Sequence, residues 1–228
     1  MLLLVLPGLI CNAGMYHRLQ MDFPQARVVD DFYNGLDNFD AMAAHALRLV
    51  DGETRFALLG HSMGARIALE IVRRHPHRVD RLALVGTGTH PVAEGEAEKR
   101  HALTAIGRDH GFPALVDRWL PPMVAPENRT PQLMDALTAM CLSAGQSVWE
   151  AHVTALLGRL SVDELLHSIT CPVDVIVGAL DEWSPVAQHE QISAAIPQSQ
   201  LHVVERAGHM LPAEKPQQFS QIIGRWMS

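Results

Sequence analysis

The chain has 228 residues, 48% of them apolar and 19% charged, which is the composition of an ordinary folded domain and excludes a disordered chain. Its 18 Lys and Arg against 25 Asp and Glu give a formal net charge of −7, so nothing attracts nucleic acid or an anionic membrane over long range. Cys11, Cys141 and Cys171 are scattered and odd in number, which excludes a disulfide framework and a Cys-x-x-Cys metal site and favours reduced thiols in a cytoplasm.

Short apolar runs alternate with amphipathic helical stretches along most of the chain. The first run, Met1 to Leu6, has no basic residue before it and breaks at Pro7-Gly8, so it predicts a buried strand rather than a signal peptide. No later run is long enough to span a bilayer. Strands are predicted at 2–6, 27–30, 56–59, 82–86, 173–178 and 201–205, and helices at 39–50, 64–74, 187–195 and 217–227. This alternation predicts an α/β fold whose mostly parallel sheet of about six strands is flanked by helices.

The stretch from 90 to 170 breaks the alternation, because it contains proline-punctuated helical pieces and no convincing strand. We therefore predict a core of residues 1–89 and 171–228, interrupted by a helical lid at 90–170. The apolar side chains that mark this lid are Trp119, Met123, Met140 and Trp149. Such residues at helical spacing either pack as core or face a substrate pocket, and both interpretations stay open.

One five-residue motif predicts a nucleophile. Gly60-His61-Ser62-Met63-Gly64 follows an apolar strand and precedes an amphipathic helix, which is the setting of a nucleophile elbow. A serine at such a sharp strand-to-helix turn projects from the sheet, and glycines two residues before and after it leave the turn room to form. The motif alone is weak, since Ser62 could merely cap the helix.

A serine hydroxyl needs a base, and the base needs an orienting carboxylate. Among 13 histidines, His209 follows the last predicted strand, where ligands meet an open α/β sheet. Asp181 follows the preceding strand and is preferred over its neighbour Glu182 as the acid. Three loops after three strands thus supply Ser62, Asp181 and His209, and the order Ser, Asp, His separates this pattern from the other well-known triad folds.

These motifs resemble those of the α/β-hydrolase family, and within it the small lid-bearing bacterial esterases, enol-lactonases and carbon–carbon-bond hydrolases. The resemblance covers nearly the whole chain and is carried by Leu6-Pro7-Gly8-Leu9, the Gly60–Gly64 motif, Gly178-Ala179-Leu180-Asp181 and Gly208-His209. Two backbone N–H groups should bind the oxyanion: that of Met63, next after the nucleophile, and, by the resemblance, that of Leu9.

The chain departs from the family in two places. Pro7-Gly8 stands where many relatives have His-Gly, which changes only loop packing. The family core usually begins with two further strands, so we expect six strands here rather than eight and an edge that needs protection, which a homodimer could supply.

The resemblance implies a carboxylic ester hydrolase that forms an acyl-enzyme with a small-molecule substrate and needs no cofactor or metal. The apolar lid residues favour an acyl or aromatic substrate, and Trp183 either walls the pocket or packs. Thioester cleavage, carbon–carbon bond hydrolysis and acyl transfer use the same triad and stay open, as does a non-catalytic ligand receptor on this scaffold. A metal hydrolase is disfavoured, since the chain has no His-Glu-x-x-His motif and its closest histidine pair is His75-Pro76-His77.

Overall fold

Six strands form one sheet in which every neighbouring pair is parallel. The computed structural model describes residues 1–228. The strands are β1 (Leu3–Leu6), β2 (Ala26–Val28), β3 (Phe56–His61), β4 (Val79–Val85), β5 (Val173–Gly178) and β6 (Ser199–Val204), and their spatial order is β2-β1-β3-β4-β5-β6. The prediction of about six mostly parallel strands is confirmed. Every residue of β1, β3 and β5 is buried, which explains why these strands read as continuous apolar runs.

Eleven α-helices surround the sheet or join its strands. They are α1 (His17–Asp22), α2 (Phe39–Leu47), α3 (Met63–Arg74), α4 (Glu96–His110), α5 (Phe112–Trp119), α6 (Pro131–Ala144), α7 (Gln146–Leu157), α8 (Asp163–Leu166), α9 (Val186–Ala195), α10 (Leu211–Glu214) and α11 (Pro216–Met227). None of them combines the length and apolarity needed to cross a lipid bilayer.

The strand boundaries differ from prediction where a strand begins with polar residues. β4 starts at Val79 rather than Leu82, because Asp80 and Arg81 are only partly buried and interrupt the apolar run. β6 starts at Ser199 rather than Leu201 for a related reason: it is the last strand of the sheet, and among its six residues only Val204 is buried. A strand that starts with polar residues, or lies at the sheet edge, lacks a continuous apolar run, so the sequence pattern does not show where it begins.

Five helices, α4 to α8, and no strand lie between β4 and β5. Their apolar side chains are not separate from those of the sheet, since Trp119 and Trp149 belong to the same continuous cluster of 60 buried residues as Leu3 and Val175. The division of the chain into a core and a lid at 90–170 therefore stays a prediction. We call residues 90–170 the cap.

The carboxyl ends of the parallel strands bring distant loops to one rim. β1 runs into the loop at Pro7, β3 into Ser62, β5 into the loop that contains Asp181, and β6 into the loop that contains His209. Helix α3 starts directly after β3 at Met63, so its N-terminal end points at the same rim. Ligand sites of open α/β sheets lie at this rim.

Candidate active site

Ser62 lies in a strained turn between β3 and α3. Its backbone is at φ 55° and ψ −118°, a conformation that non-glycine residues rarely adopt. Gly60 and Gly64 flank it because neither position has space for a side chain. A Cβ at Gly60 would lie 2.5 Å from the Cα of Ala65, and one at Gly64 would overlap the carbonyl oxygen of Leu6. The turn that projects the hydroxyl therefore depends on both glycines, as the motif predicted.

The structure brings together the three side chains that sequence analysis named. The Ser62 hydroxyl lies 2.9 Å from Nε2 of His209, and Nδ1 of the same ring lies 2.8 Å from Oδ2 of Asp181. The carboxylate can only accept, so Nδ1–H donates to it and leaves Nε2 free to accept the serine proton. Both His209 and Asp181 are buried, which shields their interaction from water. The arrangement has the geometry that serine activation requires.

Asp181 is held in place on both of its oxygens. Its Oδ1 accepts from the backbone N–H groups of Trp183 at 2.9 Å and Ser184 at 2.8 Å, while Oδ2 faces His209. Burial opposes ionisation of this carboxyl, but the neighbouring His209 and the N–H of Ser184 outweigh it and lower the pKa of Asp181 below its usual value. Glu182, the alternative acid, is exposed and makes no hydrogen bond to His209.

The two predicted oxyanion donors lie beside Ser62. Met63 is the first residue of α3, where a backbone N–H has no partner within the helix, and Leu9 belongs to the loop after β1. That loop runs close over the nucleophile, since a Cβ at Gly8 would lie 3.1 Å from the Cβ of Ser62. Leu9 and Met63 both line the cavity that contains Ser62.

The loop after β1, which carries Leu9, is held from two sides by two residues that were not predicted from the sequence. The Tyr33 hydroxyl donates to the carbonyl of Pro7 at 2.8 Å, and Nδ1 of His152 accepts from the N–H of Ile10 at 3.3 Å. The His152 ring also donates from Nε2 to the carbonyl of Phe32 at 3.0 Å. Burial lowers the pKa of His152 to about 4, so the ring is neutral and can act as an acceptor. A cap helix, α7, therefore helps to fix the position of the loop.

A third residue that was not predicted, His61, supports the backbone of the candidate base His209. It precedes Ser62, is buried, and donates from Nε2 to the backbone carbonyl of His209 at 2.8 Å. Burial and the neighbouring His209 lower its pKa to about 3, so it stays neutral. The only sequence feature that pointed to His61 was its position in the five-residue motif, and that motif accepts any residue type at this position.

A cavity of about 320 Å³ opens onto Ser62 and His209. Of the five pocket candidates, Trp119, Met123 and Trp183 line it. Met140 and Trp149 do not, and this corrects the prediction. Trp149 is fully buried, packs edge-on against Trp119 at 5.5 Å and donates from its indole N–H to Thr104, so it supports the wall from behind. Met140 is likewise packed in the interior.

The cavity wall carries more charged residues than the apolar lid residues led us to expect. Only 8 of its 22 lining residues are hydrophobic, and the charged ones are Arg66, Glu94, Glu96, Lys99, Arg100, Arg159 and Glu182. The sequence did not predict this set, because charged residues on helices and loops usually face solvent. No group of three or more His, Cys, Asp or Glu side chains is placed to hold a metal ion.

Comparison with known proteins agrees with this geometry. The model of the alpha/beta hydrolase family matches residues 6–222. The chain belongs to this family. The hydrolase is 27% identical over 205 residues to 2-hydroxymuconate semialdehyde hydrolase of Pseudomonas sp. strain CF600, covering 84% of this chain and 69% of that one. It is 28% identical over 181 residues to pimeloyl-[acyl-carrier protein] methyl ester esterase of Chromobacterium violaceum, covering 76% and 70%.

The fold of the hydrolase is also found among solved structures. A thermophilic esterase from Thermogutta terrifontis superposes with a TM-score of 0.88 at 24% identity, covering 100% of this chain and 89% of that one. An enol-lactonase from Burkholderia xenovorans LB400 superposes with a TM-score of 0.86 at 19% identity, covering 99% and 90%. At these identities the likeness shows that the fold is shared.

Proposed function

We propose that the protein hydrolyses carboxylic esters of small molecules through Ser62, His209 and Asp181. The observation that carries this proposal is the continuous chain of contacts from Ser62 Oγ to His209 at 2.9 Å and from His209 to Asp181 at 2.8 Å. The cavity of about 320 Å³ beside Ser62 suits a small molecule rather than a folded protein substrate.

The proposed reaction passes through an acyl-enzyme. Nε2 of His209 takes the proton of Ser62 as Oγ attacks the ester carbonyl, and the N–H groups of Leu9 and Met63 stabilise the oxyanion. The imidazolium then protonates the leaving alcohol. Water, deprotonated by His209, releases the acid and restores Ser62. Asp181 stays ionised throughout and holds the ring in the tautomer that accepts at Nε2.

Hydrolysis of a carbon–carbon bond is the second candidate. A relative that is 27% identical is a 2-hydroxymuconate semialdehyde hydrolase, and the same three side chains could serve that reaction. Thioester cleavage and acyl transfer to an alcohol also remain compatible with the geometry. A cytoplasmic location is part of the proposal, in keeping with three cysteines that form no disulfide.

Turnover of 4-nitrophenyl esters tests the proposal. We expect the wild type to release 4-nitrophenol from short-chain esters with saturation kinetics, and Ser62→Ala to lower kcat by about 10³-fold or more with an unchanged circular dichroism spectrum. A 2-hydroxy-dienoate carrying a cleavable carbon–carbon bond is assayed in parallel. Activity on that compound alone would favour the second candidate. Equal turnover by the wild type and Ser62→Ala on every ester would overturn the ester proposal.

A further inference from the structure

Three buried arginines line the cavity beside Ser62, and in two of them both terminal amino groups donate to the protein. Arg159 forms a two-pronged ion pair with Glu96, at 2.7 and 2.5 Å, and also donates to the carbonyl of Leu156. Arg66 donates to the carbonyl of Thr89 at 2.7 Å and to that of His90. These two guanidinium groups therefore build the wall between the cap and α3.

Arg100 differs from the other two, because part of its guanidinium group has no partner. Its Nε–H donates to Glu96 at 2.8 Å, but its two terminal amino groups have no hydrogen-bond acceptor in the protein. The residue is only 8% exposed, lines the cavity, and has its guanidinium carbon 6.0 Å from the ring centre of Trp183. The two terminal amino groups are not sealed from solvent, so they face the open cavity, where a bound ligand can replace water as their acceptor.

Arg100 shares its only hydrogen-bonded carboxylate with a second arginine. Glu96 is the only carboxylate that hydrogen-bonds any of the three arginines, and it is divided between Arg100 and Arg159, while Asp163 acts on Arg66 through its charge. Burial opposes ionisation of Glu96, but hydrogen bonds from Arg159 and Arg100 outweigh it and lower its pKa to about 2. Glu96 is therefore fully ionised at neutral pH and has no further negative charge to offer Arg100. The remaining carboxylates on the cavity wall, Glu94 and Glu182, are exposed and make no hydrogen bond to Arg100.

We infer that the cavity binds esters that carry a second, ionised carboxylate, and that the terminal amino groups of Arg100 donate to this carboxylate. The inference rests on the proposed function and narrows its substrate class to anionic esters. A guanidinium group with two free, parallel donors matches a carboxylate in geometry as well as charge. The Trp183 ring lies over the guanidinium at 6.0 Å, the outer limit of a cation–π contact.

Two pairs of esters, each an anion and its neutral analogue, test the inference. Mono-4-nitrophenyl adipate is compared with 4-nitrophenyl hexanoate for a carboxylate on the acyl side, and 4-carboxyphenyl acetate with phenyl acetate for one on the alcohol side. We expect kcat/KM of the wild type to be at least about tenfold higher for the anion of one pair, and Arg100→Gln to remove this preference while changing the neutral ester less than about threefold. Arg100→Lys keeps the positive charge but loses the two parallel N–H donors, so it should retain only part of the preference for the anion.

Arg108→Gln is the matched control, since Arg108 lies on the same helix α4 but is exposed and pairs with Glu150 at 2.7 Å. It should leave both esters of each pair unaffected. The inference is overturned if the wild type prefers neither anion, or if Arg100→Gln slows the anionic and neutral esters equally, since that result would assign Arg100 a structural role.

Binding without turnover separates this inference from the proposed function. In a Ser62→Ala background, titration calorimetry with monomethyl adipate should show at least about tenfold weaker binding once Arg100→Gln is added. Loss of affinity in a protein that hydrolyses no ester would support the anion site and reject the ester hydrolase. Equal affinity in a protein that hydrolyses neutral esters would reject the anion site alone.

Discussion

At the scale of single residues, the site depends on a carboxylate with no freedom to turn. Asp181 accepts two backbone N–H bonds on Oδ1, from Trp183 and Ser184, and uses Oδ2 for His209. Its lowered pKa keeps it ionised at neutral pH, and this charge fixes the imidazole tautomer. The orientation of His209, and with it the basicity toward Ser62, therefore follows from the short loop that carries Asp181.

Asp181→Asn tests this role. The amide keeps the shape of the side chain but offers no second acceptor of the same strength to Nδ1–H of His209, so the ring loses its preferred tautomer. We expect kcat on a 4-nitrophenyl ester to fall by about 10³- to 10⁴-fold with thermal stability changed little. Glu182→Gln, on the exposed neighbour, should cost less than about tenfold. A larger effect from Glu182→Gln than from Asp181→Asn would reverse the assignment of the acid.

The sequence placed the three candidate catalytic residues at one rim, as the structure has them, but did not predict the charged residues around them, for a physical reason that Arg100 illustrates. Ser62, Asp181 and His209 follow apolar strands directly, and strand ends are readable from local pattern. Arg100, by contrast, stands four residues after Glu96 on a helix, which looks like an ordinary exposed ion pair. Only the packing of the cap against the sheet buries that pair and turns it into a cavity wall, and such packing is not a local property.

At the scale of elements, one carboxylate joins the loop of His209 to the cap. Glu214, at the end of α10, accepts from the N–H groups of Gly208 at 3.0 Å and Ala125 at 2.9 Å and from the amide of Asn128 at 2.8 Å. The N–H of His209 itself donates to the carbonyl of Met123 at 2.8 Å. The cap segment that carries Met123 into the cavity is thereby fixed to the loop that carries the base.

Replacing Glu214 in two steps measures this connection. Glu214→Ala leaves the N–H groups of Gly208 and Ala125 and the amide of Asn128 without this acceptor, and we expect the free energy of unfolding to fall by about 3 kcal/mol or more. Glu214→Gln keeps one oxygen, which can take over most of these bonds, and should cost about 1 kcal/mol.

The control for these variants is Glu127→Gln, which breaks an exposed pair with Arg206 and should cost at most about 1 kcal/mol. Urea denaturation gives the three values, and kcat should fall in the same order. Equal stability of Glu214→Ala and the wild type would contradict the account of α10 as the anchor of the loop.

The strands and core helices show how far elements can be predicted. β5 agrees with prediction at both ends because it is buried throughout, whereas β4 was placed three residues too late because it starts with Asp80 and Arg81 after Val79. In the cap the predicted helical character is seen, but which face of each helix meets the cavity depends on contacts such as that of Trp149 with Trp119.

At the scale of the whole molecule, three buried and neutral histidines connect distant parts of the chain. His61 supports the loop of His209, His152 joins α7 to the loop after β1, and His189 on α9 accepts from the N–H of Thr87 at 2.9 Å. Burial lowers the pKa of each, to about 3 for His61 and about 4 for His152. Protonation of His152 or His189 would break the hydrogen bond that its ring accepts, and protonation of His61 would place a charge on a buried Nδ1 that has no partner.

This arrangement predicts a loss of stability in mild acid. Below the unfolded-state pKa of about 6.5, the unfolded chain binds protons that the native chain cannot, so stability falls as pH drops from 6.5 toward 4. At pH 5, His61 and His152 should each contribute a loss of about 2 kcal/mol relative to pH 7.5. Carboxylates with lowered pKa, such as Glu96, are affected only at lower pH.

His152→Gln tests this pH dependence, because glutamine can accept from Ile10 and donate to Phe32 without titrating. We expect the free energy of unfolding, measured by urea denaturation, to fall between pH 7.5 and pH 5 by about 2 kcal/mol less in this variant than in the wild type. His167→Gln, on an exposed position, is the control and should leave the difference as it is. If His152→Gln loses as much unfolding free energy between pH 7.5 and pH 5 as the wild type does, the His152 ring is protonated in the native protein.

The most direct measurement is covalent labelling with a fluorophosphonate, followed by mass spectrometry of the intact protein and of its peptides. We expect one adduct per chain, located on Ser62, and its loss in His209→Ala, because only the hydroxyl that meets this imidazole is activated. A well-folded protein that takes up no label, or takes it up at another serine, would contradict the central claim.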